Sequence, residues 1–149
     1  MKNPQEKIYA WKPIEGLEDS TFTIYSATFD LNGLKIILYK DSNPKKNIFI
    51  NFSDIEAYRI TEECSSMHLL EGPVIPYEGY ISPKEEKKQF AWSFFKVENS
   101  EYLKWASQQC NALSKDLKLI HYAIWDELWA IDVLSSAEPD VEFVDIKSE

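Results

Sequence analysis

Cys64, His68, Cys110 and His121 are the side chains best suited to nucleophilic or metal chemistry, so their spacing decides what chemistry is open. Nucleophilic catalysis requires a nucleophile, a base and an orienting group in contact. Cys64 and His68 stand four apart, which on a helix would turn a thiol and an imidazole to one face. That spacing arises readily by chance, and Ser65-Ser66-Met67-His68 lacks a nucleophile elbow. His121 lies within Leu119-Ile120-His121-Tyr122-Ala123, where a hydrogen-bonded histidine of a sheet is expected. Cysteines and histidines so dispersed lack the paired spacing of a zinc site. No metal and no cofactor are expected. Whether Cys64 and Cys110 come near each other stays open. Four glycines in 149 residues provide no phosphate-cradling loop. A glycosidase pair is defined by separation in space, and 25 acidic residues do not single one out. The chain is therefore expected not to be an enzyme.

Charge narrows the partners. The formal net charge is −9 and the pI is near 4.8, a field that repels nucleic acid and anionic membranes and attracts basic proteins. Arg59 is the lone arginine, so a multi-arginine anion site is excluded. Acidic residues beside apolar or aromatic ones recur late in the chain, at Asp126, Glu127 and Trp129, then at Glu138, Asp140, Glu142 and Asp145. Glu62 and Glu63 join them if the fold brings them near. Two readings stand side by side: a solvated rim with a hydrophilic tail, or a face where carboxylates steer a basic partner and aromatics anchor it.

The element expected to organise the fold is residues 92–113. Trp92 to Val97 reads as a strand, followed by an amphipathic helix over about 100–113 with Asn99 or Ser100 as N-cap. Glu101 falls in the first turn, favourable to the helix dipole. Leu103, Ala106, Cys110 and Leu113 recur at helical spacing and form one apolar side. Residues 8–14 suggest a short edge strand broken by Pro13. Thr21 to Phe29, the Asn32-Gly33 turn, Leu34 to Tyr39, and Ile48 to Phe52 read as an antiparallel meander, with 41–47 as a surface turn. Ser53 and Glu56 match a capping box, yet Ala57 to Ile60 favours a strand. Leu117 to Trp125 and Leu128 to Leu134 form a hairpin turning at Asp126-Glu127, and Val141 to Ile146 adds a last strand. The expected architecture is α+β: one domain over 1–149 with loose ends at 1–7 and 147–149. A single curved antiparallel sheet would carry the helix on one face. The polar N-terminus and the lack of a long apolar run point to a cytoplasmic protein.

The order of motifs then becomes informative. Trp11-Lys12-Pro13-Ile14-Glu15-Gly16, Ala57-Tyr58-Arg59, Val97 to Trp105, His121-Tyr122 and Asp132-Val133-Leu134-Ser135 follow one another across residues 11–135. This series resembles small bacterial immunity proteins that accompany polymorphic or contact-dependent toxins. The resemblance implies a cytoplasmic inhibitor that binds a cognate toxin domain and blocks its active site or substrate groove, a basic groove if the toxin is a nuclease. It carries over no binding residue, so the candidate partner surface remains the acidic and aromatic set above. The alternatives are an interaction domain without a toxin, or a ligand-binding protein or enzyme with an aromatic pocket around Tyr58, Arg59, His121 and Trp125.

Overall fold

A computed structural model describes residues 6–17, 22–62, 74–75, 92–109 and 118–145. Its elements run β1 (Lys7–Ala10), β2 (Phe22–Asp30), β3 (Gly33–Lys40), β4 (Asn43–Phe52), β5 (Ile55–Glu62), β6 (Val74–Ile75), β7 (Phe94–Glu98), α1 (Glu101–Gln109), β8 (Ile120–Trp125), β9 (Trp129–Ser135) and β10 (Asp140–Asp145). The strands divide into a large sheet of order β5-β9-β8-β7-β1-β6 and a small sheet of order β10-β4-β3-β2. Neighbours are antiparallel except the β1·β6 pair.

The expected α+β class holds in this mostly-β form, but the expected single sheet is corrected to two. The reason lies in how many faces need cover. Alternation on β3 and β4 buries Leu34, Ile36, Leu38, Ile48, Ile50 and Phe52 on one face of the small sheet. On β7 and β8 both faces are apolar, with Phe94 beside Phe95 and Tyr122, Ala123, Ile124 and Trp125 in succession, all buried. One helix cannot cover both. The small sheet covers the first face, where Phe52 meets Tyr122 at 5.2 Å and Phe22 meets Phe94 at 5.3 Å between ring centroids. On the second face α1 packs Tyr102, Leu103 and Ala106 against Leu134 and Ala57.

Local signals mostly hold, with informative departures. Asn32-Gly33 does make the β2–β3 hairpin, but Leu31 and Asn32 form the turn and Gly33 starts β3. Only Gly33 takes positive φ there, at 115°, and a Cβ on it would collide with the carbonyl oxygen of Phe52. The 41–47 turn contracts to Asp41-Ser42, and Pro44 enters β4 where a register shift leaves it without a partner on β3. The strand alternative for 57–60 is the one adopted. β1 ends before Pro13 and lies inside the large sheet, not at its edge. The helix begins as expected, with Ser100 as its cap; 110–113 lie outside the described residues. No helix among the described residues is long and apolar enough to cross a membrane.

Candidate functional site

The face of the large sheet beneath α1 gathers polar residues from four elements. Antiparallel register puts Arg59 opposite Asp132, and Asp132 opposite Ala123, one residue from the Tyr122·Val133 pair and two from His121·Leu134. His121, Asp132 and Arg59 therefore project from one face, where the start of α1 meets them. Ser100 Oγ accepts the Leu103 amide at 2.9 Å and lies 2.7 Å from His121 Nδ1. His121 Nε2 lies 2.7 Å from Asp132 Oδ1. Arg59 Nε donates to Asp132 Oδ2 at 3.1 Å, and the Trp125 indole donates to Oδ1 at 3.4 Å. With the imidazole proton on Nε2, Nδ1 accepts from the Ser100 hydroxyl and both ring nitrogens are used. Tyr102 closes the cluster, its ring edge-on to His121 and 4.1 Å beneath the Arg59 guanidinium.

Burial alone would raise the Asp132 pKa, but the His121 hydrogen bond and the Arg59 guanidinium beside it outweigh that and hold the carboxyl below its usual value. Burial pushes the Tyr102 phenol up, partly opposed by Arg59.

Serine, imidazole and carboxylate in sequence are also the parts of a hydrolytic triad, so access decides their role. Ser100 is 3% exposed, His121 1% and Asp132 0%, and the serine oxygen is already engaged as the helix N-cap. The side chains of all three are thus turned to one another and to the helix, not to the surface. This cluster is a buried clamp joining α1 to β5, β8 and β9. Of the residues named for an aromatic pocket, Arg59, His121 and Trp125 converge on one carboxylate in this closed cluster, while Tyr58 faces the other side of β5.

What the fold leaves open is that other side. Tyr58, Ile60 and Glu62 alternate along the core-side face of β5, opposite Val133, Ile131 and Trp129 of β9. At this edge the small sheet covers them only in part: Phe29 from β2 packs against Tyr58 in a tilted pair at 5.3 Å, and Leu128 stands at the β8–β9 turn. Phe29, Tyr58, Ile60, Leu128 and Trp129 are between 38% and 65% exposed, so large apolar side chains line a ledge. Glu62 and Glu127 stand exposed at its end.

The acidic and aromatic set is thereby sorted. Glu62, Glu127 and Trp129 come together at this ledge, Trp129 pairing with Glu62 across strands. Asp126 is buried and turned inward, accepting from the amides of Ile24 at 2.9 Å, Leu128 at 2.7 Å and Trp129 at 2.6 Å. It shapes the ledge and ties the hairpin to β2 but presents no free carboxylate. Glu138 is exposed, 3.6 Å from Lys96 Nζ. Asp140, Glu142 and Asp145 belong to β10, the edge of the small sheet opposite β2, three strand spacings or roughly 14 Å away. Glu63, Cys64, His68 and Cys110 lie outside the described residues.

The sequence reading missed the clamp as a unit and Phe29 and Ile60 as part of the ledge. A signal for the clamp was present: Arg59, Ser100, His121 and Asp132 each stand in the series of motifs singled out across residues 11–135. No family model, curated protein or solved structure matches the chain.

Proposed function

We propose that this chain is a binding protein that captures a basic protein domain on the β5 and β8–β9 ledge, and that it serves as a cytoplasmic immunity protein neutralising a toxin domain. The observation that carries the reading is the ledge itself. Apolar and aromatic side chains stand exposed along β5 and at the β8–β9 turn, with Glu62 and Glu127 beside them, in a chain of net charge −9. Exposed contiguous apolar surface rimmed by charge is the usual form of a protein-binding face, with aromatics supplying the anchor energy and carboxylates the steering. The toxin part rests on the family resemblance of the motif series, with the partner's active site or substrate groove as the surface blocked.

The test is capture of a partner by the tagged protein in its host, followed by calorimetry of the purified pair over a range of salt. The reading expects a stoichiometric basic partner whose affinity falls with ionic strength. Trp129→Ala at the anchor should cost at least about 2 kcal/mol, or roughly 30-fold in Kd. A partner that binds Trp129→Ala and Ile60→Ser as tightly as wild type would place the interface elsewhere. A non-toxic basic partner would leave an interaction domain in place of an immunity protein.

A further inference from the structure

The outward face of the small sheet carries a groove of about 650 Å³. Its outward-facing lining residues fall into two cross-strand rows, on either side of the Ile36, Ile50 and Val141 row. Lys35 of β3, Asn51 of β4 and Asp140 of β10 are register partners in one row, and Ile37, Phe49 and Glu142 form the next. Residues of one row project from one face, and two strand spacings put the Lys35 and Asp140 backbones roughly 10 Å apart. The first row is thus a cation, an amide and an anion in line. The second adds an apolar floor with another carboxylate at the Asp140 end. Asn51 lies between the charges, half-buried in the middle of the row.

We propose that this groove binds a zwitterionic α-amino acid with an apolar or aromatic side chain. The ammonium sits toward Asp140 and Glu142, the carboxylate toward Lys35, and the side chain lies on Ile37 and Phe49. A simple cation would meet Lys35 and a simple anion would meet two carboxylates, whereas a zwitterion satisfies both ends at once. Asn51 stands at the midpoint, where its amide nitrogen can donate to the carboxylate. The volume falls within the roughly 300–1,000 Å³ of small-molecule sites, and an apolar floor with a few convergent polar groups is their usual make-up. The site is independent of the ledge, and it gives Asp140 and Glu142 a ligand other than the protein partner.

The test is titration of the whole protein with L-phenylalanine, followed by calorimetry and amide NMR. L-Phenylalaninamide, which lacks the carboxylate and mimics a peptide amino terminus, and N-acetyl-L-phenylalanine, which lacks the ammonium and mimics a carboxyl terminus, serve as the two comparison ligands. Phenylalanine should bind one to one and shift amides around Phe49, Asn51 and Glu142, with each blocked analogue about tenfold weaker or worse. D140N/E142Q should lose about tenfold for phenylalanine and leave N-acetyl-phenylalanine unweakened, while K35Q should weaken phenylalanine but not phenylalaninamide. Lys35, Asp140 and Glu142 are exposed on the sheet surface, so these changes leave the fold intact. Equal binding of all three ligands would reduce the site to apolar contact and overturn the proposal. Tighter binding of either blocked analogue would make it a receptor for a peptide terminus instead. Absence of saturation by about 10 mM phenylalanine would also overturn it.

Discussion

Replacing Asp132 with alanine removes the acceptor on which the buried clamp converges. His121 Nε2 and the Trp125 indole lose their partner on residues 1% exposed, and each stranded buried donor costs about 1–3 kcal/mol. The indole bond is long at 3.4 Å, so its share falls at the low end. Arg59 loses its ion pair too, but its side chain is 42% exposed and turns to water, adding little. The sum, about 2–4 kcal/mol, overlaps the roughly 3–5 kcal/mol usual for removing one partner from a buried pair. For a chain of this size each kcal/mol moves Tm by about 2–4 °C, so the melting point should fall by about 4–16 °C. Asp132→Asn keeps an acceptor for His121 and should lose less. The assay is urea unfolding followed by tryptophan fluorescence and circular dichroism, with the denaturant slope unchanged. The pH dependence has a definite sign. Asp132 has a folded pKa below its unfolded value, so its contribution is present above about pH 4 and is lost as pH falls through the folded value. The wild type should therefore lose more stability on acidification than Asp132→Ala does. A cost below about 1 kcal/mol with unchanged acid sensitivity would refute the clamp.

Two further substitutions test other parts of the fold. Tyr122→Phe should be neutral or stabilising by about 1 kcal/mol in the same unfolding assay, because the buried phenolic hydroxyl has no hydrogen-bond partner. Burial, with the charge of Glu138, pushes the Tyr122 pKa up to about 12, so its phenol should ionise late in an alkaline spectrophotometric titration. In the wild type that contribution is present below about pH 10 and lost as pH rises toward the folded value; Tyr122→Phe should abolish it. Gly33→Ala should destabilise by more than the about 1–3 kcal/mol of backbone strain alone, since φ is 115° and the added carbon meets the Phe52 carbonyl. A wild-type-like melting curve for Gly33→Ala would refute the hairpin geometry.

Local structure was legible in the sequence wherever chemistry acts over a few residues. Alternation located β3 and β4, Asn32-Gly33 located the first hairpin, the turn at Asp126-Glu127 located the β8–β9 hairpin, and a short oxygen at Asn99 or Ser100 located the start of α1. Pairing across long separations was not legible. Arg59 reaches Asp132 over 73 positions and Asp126 reaches the Ile24 amide over 102, and neither partner leaves a mark near the other. For that reason Asp126 looks like a surface carboxylate beside a turn, although folding turns it inward. The ledge was half legible: acid beside aromatic marked Glu127 and Trp129. The exposure of Phe29 and Ile60 depends on where the small sheet ends, which is a property of two sheets packed together.

The central claim is that the ledge neutralises a basic toxin domain, and growth of host cells expressing that domain tests it most directly. Co-expression of the wild-type chain should restore growth, and a folded Ile60→Ser/Trp129→Ala variant should not, with loss of protection tracking loss of binding by calorimetry. Full protection by the folded double variant, or no protection by the wild type despite tight binding, would contradict the account.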